Sequence, residues 1–258
     1  ASLHLIGKDI LRFHAVYWPA FLLAAKLPLP DKIYSHGWIL SGEEKMSKSK
    51  GNILDPIEII NEYGLDPLRY YLIKEVSFGN DGNISTDRLE NCINSDLANN
   101  FGNLCQRVTA FVFKNLDGKI PNDVKYDKED LKILDKFKIN LNVVRKKIDK
   151  QDINFYINFI VDSLFDANKY FNDQEPWKKK NSPIRLNAII YTTLEVIRKI
   201  CYMLYPIIPL ASLQALKIFN IKENEIKLSS LENHNYLRFG SKINKIDILF
   251  KKIEKNND

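Results

Sequence analysis

The chain has 258 residues, 45% of them hydrophobic, 11% aromatic and 27% charged, which is enough to fill one large core or two ordinary ones and too apolar for a disordered chain. Its 38 lysines and arginines against 32 aspartates and glutamates give a net charge of +6, which favours a polyanionic partner. Three cysteines, Cys92, Cys105 and Cys201, are odd in number and too far apart for a Cys-x-x-Cys knuckle, which argues against a disulfide scaffold and predicts free buried thiols in a reducing cytosol.

At the N-terminus, Ala1-Ser2-Leu3-His4 leads into a short apolar run, Leu3 to Ile6, with no cationic start ahead of an apolar signal core. No secretion or organelle signal is visible, and the cytoplasm is the expected compartment. Gly7 ends the run, and Asp9 is placed to cap the helix that follows. That helix, Ile10 to about Ala25, sets His14 and Trp18 four residues apart on one face, and Pro19 is expected to kink it or free a carbonyl near them. After Leu27-Pro28-Leu29-Pro30, the run Ile33 to Leu40 reads as a buried strand around His36 and Gly37. Strand, helix, strand implies a parallel pair with a crossover helix, and ligands on such sheets sit beyond the carboxyl ends of the strands.

Ser41, Gly42 and two glutamates break that strand, and Gly51-Asn52 closes the loop. Between them Lys45-Met46-Ser47-Lys48-Ser49 concentrates two ammonium groups and two hydroxyls on one short arm, a combination that holds phosphate. A solvated charged turn is the plain alternative, and two lysines three apart by themselves favour it.

From Asp55-Pro56 to about Ser85 a connector is predicted, with a helical start, a break at Gly64-Leu65-Asp66-Pro67 and a second helix from Leu68 to Lys74. Thr86-Asp87 is expected to cap a long helix whose Leu89, Ile93, Leu97, Phe101, Leu104, Val108 and Phe111 recur at three- or four-residue steps. Further helices are predicted over roughly Lys128 to Lys150, Ile153 to Asn172, Ser182 to Leu204 and Ile207 to Phe219, and their short connections imply an antiparallel bundle. Ile200 to Leu216 is the most apolar stretch, but Pro206 and Pro209 interrupt it and it falls short of the roughly 20 residues a membrane span needs. The tail, Ile243 to Ile253, is expected to return as a last amphipathic helix.

Two polar sets stand out on the helical part. Asn103 and Arg107 lie four residues apart, so an amide and a planar guanidinium project from one face and can read an unpaired base. Trp177, between Asp173-Gln174-Glu175-Pro176 and Lys178-Lys179-Lys180, offers a stacking platform beside three cations. A solvated polar face and a core tryptophan are the respective alternatives.

Lys45-Met46-Ser47-Lys48-Ser49, together with Gly7-Lys8-Asp9-Ile10, Phe13-His14, Trp18-Pro19 and His36-Gly37 in that order, resembles the class I aminoacyl-tRNA synthetases and in particular the methionyl-tRNA synthetases. Asp66, Arg69, Tyr70 and Tyr71 match the family's Asp-x-x-Arg-Tyr-Tyr pattern, and Gly102-Asn103-Leu104-Cys105-Gln106-Arg107 and Pro176-Trp177 resemble its anticodon-contacting elements. The resemblance implies a mainly α chain with a partial α/β segment: the C-terminal part of a Rossmann-like catalytic domain over residues 1–52, a stem-contact connector over 53–86 and a helical-bundle anticodon-binding domain over 87–258. None of His4, His14, His36 and His234 sits in the family's His-x-Gly-His signature, and only about two strands are countable where such a sheet has about five or six. The first half of the catalytic domain, with any zinc-binding insertion, is therefore expected to be missing, and with no appended dimerisation domain a short monomeric form is expected.

By the same resemblance, Lys45 and Lys48 are the catalytic cations, and Asp9, His36, Trp38 and Ile39 bind ATP together with Lys45, Met46, Ser47, Lys48 and Ser49. Phe13, His14 and Trp18 would form the methionine slot, although packing serves Phe13 equally well; Asn103, Arg107 and Trp177 would read the anticodon. Asp9 can instead be a helix cap, and Tyr70 and Tyr71 are expected to be packing residues. The implied substrates and partners are ATP with Mg2+, methionine and tRNA(Met), with no metal site in this chain and no membrane. Two rivals stay open: a class I synthetase for another amino acid, and a non-catalytic tRNA-binding module.

Overall fold

The computed structural model describes residues 2–41, 44–45 and 54–254. Strand β1 (Leu3–Gly7) pairs in parallel with β2 (Lys32–His36), with Leu3 opposite Lys32 and Gly7 opposite His36. The chain crosses between them through a continuous helical stretch: a 3-10 turn at Lys8–Ile10, a wide π-helical turn at Phe13–Tyr17 and helix α1 (Trp18–Ala24). Pro19 explains the wide turn, because its ring would press on the carbonyl four residues back in a regular helix, and the π turn opens that ladder ahead of it. Gly7, not Asp9, is the N-cap, and no side chain caps this end. The capping role expected for Asp9 is corrected, since the helix starts two residues earlier and puts its carboxylate inside the first turn.

The single strand expected over Ile33 to Leu40 is two strands in two sheets. After β2 the chain breaks at Gly37-Trp38, and β3 (Ile39–Ser41) pairs antiparallel with β4 (Glu44–Lys45) and parallel with β5 (Gly82–Ile84). Gly37 causes the break. A Cβ there would lie 2.2 Å from the carbonyl carbon and oxygen of Asn80, so only glycine admits the Asn80-Asp81 backbone.

Helices α2 (Pro56–Tyr63, capped by the Asp55 carboxylate on the Ile57 amide) and α3 (Leu65–Glu75) meet at Gly64, whose φ of +93° suits glycine. A long helical run then covers α4 (Thr86–Cys92), a π-helical stretch at Ile93–Gly102 and α5 (Asn103–Asn115). Its cap is the Ser85 hydroxyl on the Arg88 amide, one residue before the expected Thr86. The bundle is completed by α6 (Lys128–Asp149), α7 (Ile153–Gln174), α8 (Pro183–Leu204) and α9 (Pro209–Leu216). One core runs through it, with Leu104, Val108 and Val112 meeting Leu134, Phe137, Ile157, Ile160, Ile190 and Leu194. All three cysteines are buried in or against this core and unbridged, and burial pushes the Cys92 and Cys105 thiols up to about 12.

From Ala188 onward helix α8 is buried on every side, so its charged residues there need partners inside the protein. Glu195 Oε2 accepts from Arg198 Nε at 2.8 Å, both side chains are fully buried, and Glu195 Oε1 accepts from the Leu237 amide at 2.6 Å. Arg198 reaches the carbonyls of Ser230 and Asn233 at 3.3 Å, and Lys199 donates to the Leu231 carbonyl. The irregular segment from Leu228 to Phe239 is thus strapped to α8 by buried charge.

The tail expected as a helix is extended. The Ile243 amide donates to the Gly118 carbonyl at 2.8 Å, Asn244 to Ile218 at 2.9 Å, and the Asn94 side chain both accepts from the Ile253 amide and donates to its carbonyl. Ile243 is buried, and Ile246, Leu249, Phe250 and Ile253 pack on the core from this extended strap. No helix among the described residues is long and apolar enough to cross a membrane.

Candidate functional site

The carboxyl ends of β1 and β2 gather the first group. A side chain at Gly7 would meet Asp9 Oδ1 at 2.5 Å and His36 Cε1 at 3.8 Å, so the Asp9 carboxylate and the His36 ring converge on this glycine. His36 Nδ1 donates to the Gly37 carbonyl at 2.9 Å, which places the proton of the neutral ring on Nδ1. Trp38 comes next, and its backbone is already engaged: its amide donates to Asp81 Oδ1 and its carbonyl accepts from Gly82, both at 2.8 Å. The Lys8 ammonium lies 4.0 Å from the Trp38 ring centroid and 2.6 Å from the Asp81 carboxylate. Hydrogen bonds from Lys8 and then from the Trp38 amide hold the Asp81 carboxyl below the usual carboxylate range. Of the strand segment expected to hold a purine, His36 and Ile39 are the exposed members, while Trp38 braces the turn at Asp81.

His14 and Trp18 do meet, at 6.3 Å between ring centroids, and His4 joins them from β1 at 5.0 Å from Trp18. His14 Nδ1 donates to the Ile10 carbonyl at 3.0 Å, which orients the ring. Phe13 stands apart. It is 59% exposed and packs edge-on against Tyr17 at 5.7 Å, and no ring contact among the described residues joins it to His14 or Trp18. Lys45 ends β4 with its backbone opposite Leu40. Its side chain and the residues Met46, Ser47, Lys48 and Ser49 lie outside the described residues.

The second group is on the bundle. Trp177, 43% exposed, contacts Phe171 at 6.1 Å, and the Arg107 guanidinium lies 5.4 Å from the other ring of that contact, Phe171. Arg107 Nη2 donates to Asn172 Oδ1 at 2.7 Å. A 330 Å³ cavity opens between them, lined by Arg107, Ala110, Phe111, Lys114, Phe171 and Trp177. Arg107 and Trp177, 70 residues apart in sequence, are thus brought onto one cavity through Phe171, and Asn103 stands exposed one turn before Arg107 on α5. The place of Trp177 follows from Glu175, which adopts a left-handed conformation at the end of α7, and Pro176, which starts the short turn that carries the indole outward.

Sequence reasoning missed the residues that support these groups. Lys8 and Asp81 fix Trp38, and Phe171 and Asn172 fix Arg107; Phe171 reads as core from spacing alone. The Asp66-x-x-Arg69-Tyr70-Tyr71 run is a fastener. Asp66 Oδ2 accepts from the Ala211 amide at 2.7 Å, and Arg69 donates to the carbonyls of Ile207 at 2.7 Å and Pro206 at 2.9 Å. Tyr70, fully buried, donates to Asp96, and Tyr71 exchanges hydrogen bonds with the Ser85 backbone. Packing is therefore the observed role of both tyrosines. The open carbonyls of a Pro206-x-x-Pro209 turn were the available sign of a partner for Arg69.

Comparison with known proteins follows the same two parts. The family model for class I tRNA synthetases (M) matches residues 1–109, and that for the anticodon binding domain of methionyl tRNA ligase matches residues 120–258. The methionine–tRNA ligase of Brucella suis biovar 1 is 45% identical over 222 residues, covering 86% of this chain and 43% of its own length. That of Rickettsia felis is 44% identical over 261 residues, covering 98% and 50%. The Mycobacterium tuberculosis methionyl-tRNA synthetase in complex with methionyl-adenylate superposes with a TM-score of 0.90 at 39% identity, covering 97% of this chain and 50% of that one. The chain thus spans about half the length of the curated relatives it matches. With consecutive matches running from its paired strands through its helical bundle, and with a backbone closely similar to that of a solved relative, this chain belongs to the methionyl-tRNA synthetase family.

Proposed function

We propose that the chain serves a methionine–tRNA ligase, supplying the lysine loop that closes on ATP and the bundle that reads the anticodon of tRNA(Met). Residues 1–52 belong to the nucleotide-binding catalytic domain, 53–86 form the stem-contact connector and 87–258 the anticodon-binding domain. In the first step the methionine carboxylate attacks the α-phosphorus of ATP in line, a new P–O bond forms, and pyrophosphate leaves with the electrons of the broken bond. No general base is needed, because the nucleophile is already ionised. Lys48, assisted by Lys45, neutralises charge on the phosphoryl oxygens as it shifts toward the leaving group, and cations that engage only then lower the barrier. Met46, Ser47 and Ser49 complete the arm. Asp9 and His36 hold the nucleoside at Gly7, Trp38 and Ile39 flank it, and His14 and Trp18 form the methionine slot, with Phe13, packed on Tyr17, outside it; a polarizable thioether packs well on aromatic rings. In the second step the terminal adenosine hydroxyl of the tRNA attacks the acyl carbon and AMP leaves. Mg2+ enters with ATP as part of the substrate.

The observation that carries this reading is the convergence on one exposed cavity of Arg107 from α5 and Trp177 from the part of the chain matched to the anticodon-binding family. A base stacked on an exposed aromatic contributes about 1–3 kcal/mol, so Trp177→Ala is expected to weaken binding of an RNA hairpin with a CAU loop by about 5- to 150-fold. A hairpin with a scrambled loop should lose much less, and the variant should melt at the wild-type temperature. Equal losses on both hairpins, read by fluorescence anisotropy, would remove the anticodon assignment. Lys178, which pairs with Glu175 at 2.7 Å and is largely exposed, should shift affinity without shifting sequence preference when changed to Ala.

On the catalytic side, purified chain is expected to show no methionine-dependent exchange of pyrophosphate into ATP. Among the described residues the first sheet pairs only β1 with β2, and Leu5 on β1 and Phe13, Val16 and Phe21 on the crossover are between 55% and 70% exposed, which leaves this apolar face open to water. Robust exchange by the chain alone would show that the group at Gly7 is a complete site.

A further inference from the structure

The turn that presents His36 and Trp38 is braced by the loop from Phe78 to Asp81. The Asn80-Asp81 backbone fills the space above Gly37, and Asp81 accepts from the Trp38 amide and from Lys8. The loop is itself fixed on β2. The Phe78 ring stacks on Tyr34 with 4.9 Å between centroids and 4° between planes, the Tyr34 hydroxyl donates to the Phe78 carbonyl at 3.3 Å, and a Cβ on Gly79 would lie 3.0 Å from that hydroxyl. A further anchor comes from 76 residues along the chain, where Asn154 Oδ1 accepts from the Phe78 amide at 2.9 Å. Asn154 is the second residue of α7, in the part of the chain matched to the anticodon-binding family. Its own position is firm, because the Asp152 carboxylate accepts from the Phe155 amide at 3.1 Å and pairs with Lys147 at 2.9 Å, which sets the start of the helix. The end of α6 reaches the same sheet by a separate contact, since Lys32 Nζ on β2 donates to the Asp149 carbonyl at 2.9 Å.

We propose that Asn154 is a positioning residue for the nucleotide end of the first sheet: by holding the Phe78 amide it sets the loop that keeps Gly37 and Trp38 in place, and so fixes where His36 and Ile39 stand toward the nucleoside. The proposal rests on the nucleotide reading of the group at Gly7 and adds to it a residue contributed by the bundle. Asn154 acts through Phe78 and Asp81 and does not itself touch the nucleotide. The geometry of the ATP site is then set in part by a helix outside the domain that contains it.

The test follows amide exchange and nucleotide binding of the whole chain by NMR. Asn154→Leu removes the acceptor at similar size, and Asn154→Asp keeps one. In Asn154→Leu the amides of Trp38 and Gly82, which bond Asp81 and the Trp38 carbonyl, are expected to exchange about three- to tenfold faster, the range for losing one hydrogen bond, while Val108 and Leu194 in the bundle core exchange as in wild type. Titration with ATP and Mg2+ should shift the wild-type signals of His36, Trp38 and Ile39, Asn154→Leu should need more nucleotide by a similar factor, and Asn154→Asp should restore both readings. Unchanged exchange at Trp38 and Gly82 in Asn154→Leu would overturn the positioning role and leave the nucleotide reading intact, as would unchanged nucleotide demand or an Asn154→Asp chain that behaves like Asn154→Leu. Equal acceleration at Val108 and Leu194 would overturn it too, since a loss of global stability then accounts for the change. If exchange responds as expected but ATP moves none of the three signals in the wild type, the nucleotide reading fails and the proposal falls with it.

Discussion

Glu195→Ala is expected to lower the unfolding free energy by about 3–5 kcal/mol, the largest effect of any single substitution considered on this chain. Glu195 and Arg198 are both fully buried, and the carboxylate accepts from the Arg198 guanidinium and from the Leu237 amide at once. Removing it leaves an uncompensated guanidinium and an unpaired amide in the interior, and both penalties add to the lost contacts. Arg198 retains the Ser230 and Asn233 carbonyls and lies over the Tyr202 and Tyr236 rings at 5.0 and 4.4 Å, which limits the damage without neutralising the charge. The pair also fastens the Leu228 to Phe239 segment, so urea unfolding should show a lower midpoint, with amide exchange at Leu237 speeding up before the helix core. Changing both partners, Glu195→Leu with Arg198→Met, should cost less than Glu195→Ala alone, because no unpaired charge remains. A single variant within 1 kcal/mol of wild type, by the same urea titration, would show that water reaches the pair.

Much of the helical part is legible from spacing because these helices bury one stripe each, and residues such as Leu104, Val108 and Phe111 recur as that stripe requires. The same rule misleads at the tail. Ile243, Ile246, Phe250 and Ile253 have helical spacing, yet the segment is extended because its hydrogen bonds go to Gly118, Ile218 and the Asn94 side chain, groups from elsewhere in the chain. Ile33 to Leu40 reads as one strand because its composition is continuous, and the break comes from Asn80, more than 40 residues later, whose backbone occupies the space above Gly37. The candidate sites divide in the same way. His14 and Trp18 are neighbours by helical geometry and are found together, whereas Arg107 and Trp177 meet only through Phe171, a contact between distant helices that no local pattern encodes. One local signal went unused: Glu195, Arg198 and Lys199 interrupt an otherwise apolar run on α8, and charges in such a setting must find partners inside.

Lys199→Met is expected to change how stability depends on pH. Burial first, and the neighbouring Arg198 second, push the Lys199 ammonium down to about 8 from its ordinary 10.5, against the opposing pull of Glu195, Asp135 and Glu232. Its amine donates to the Leu231 carbonyl and faces His234 Nδ1 at 3.4 Å, while His234 Nε2 donates to Asp135 at 2.9 Å, so among the described residues no carboxylate pairs with it directly. The folded state therefore binds this proton less tightly than the unfolded chain does. Below pH 8 both states carry the charge and folding bears the full cost of burying it. Between about pH 8 and 10.5 the folded protein has released the proton and the unfolded chain has not, so this group's contribution rises with pH, by about 1.4 kcal/mol per unit and about 3 kcal/mol in all. Other groups oppose it. The buried cysteines and tyrosines have raised values, so the unfolded chain loses their protons first and their contribution falls as pH rises through the same range. The wild-type curve alone cannot separate these, but the difference between wild type and Lys199→Met cancels every group except Lys199. That difference should move in favour of the wild type by about 3 kcal/mol from pH 7.5 to pH 10.5, measured by urea unfolding at each pH. Parallel curves would mean that the ammonium keeps its proton throughout, held by the Leu231 carbonyl and by water that reaches it beneath the strap.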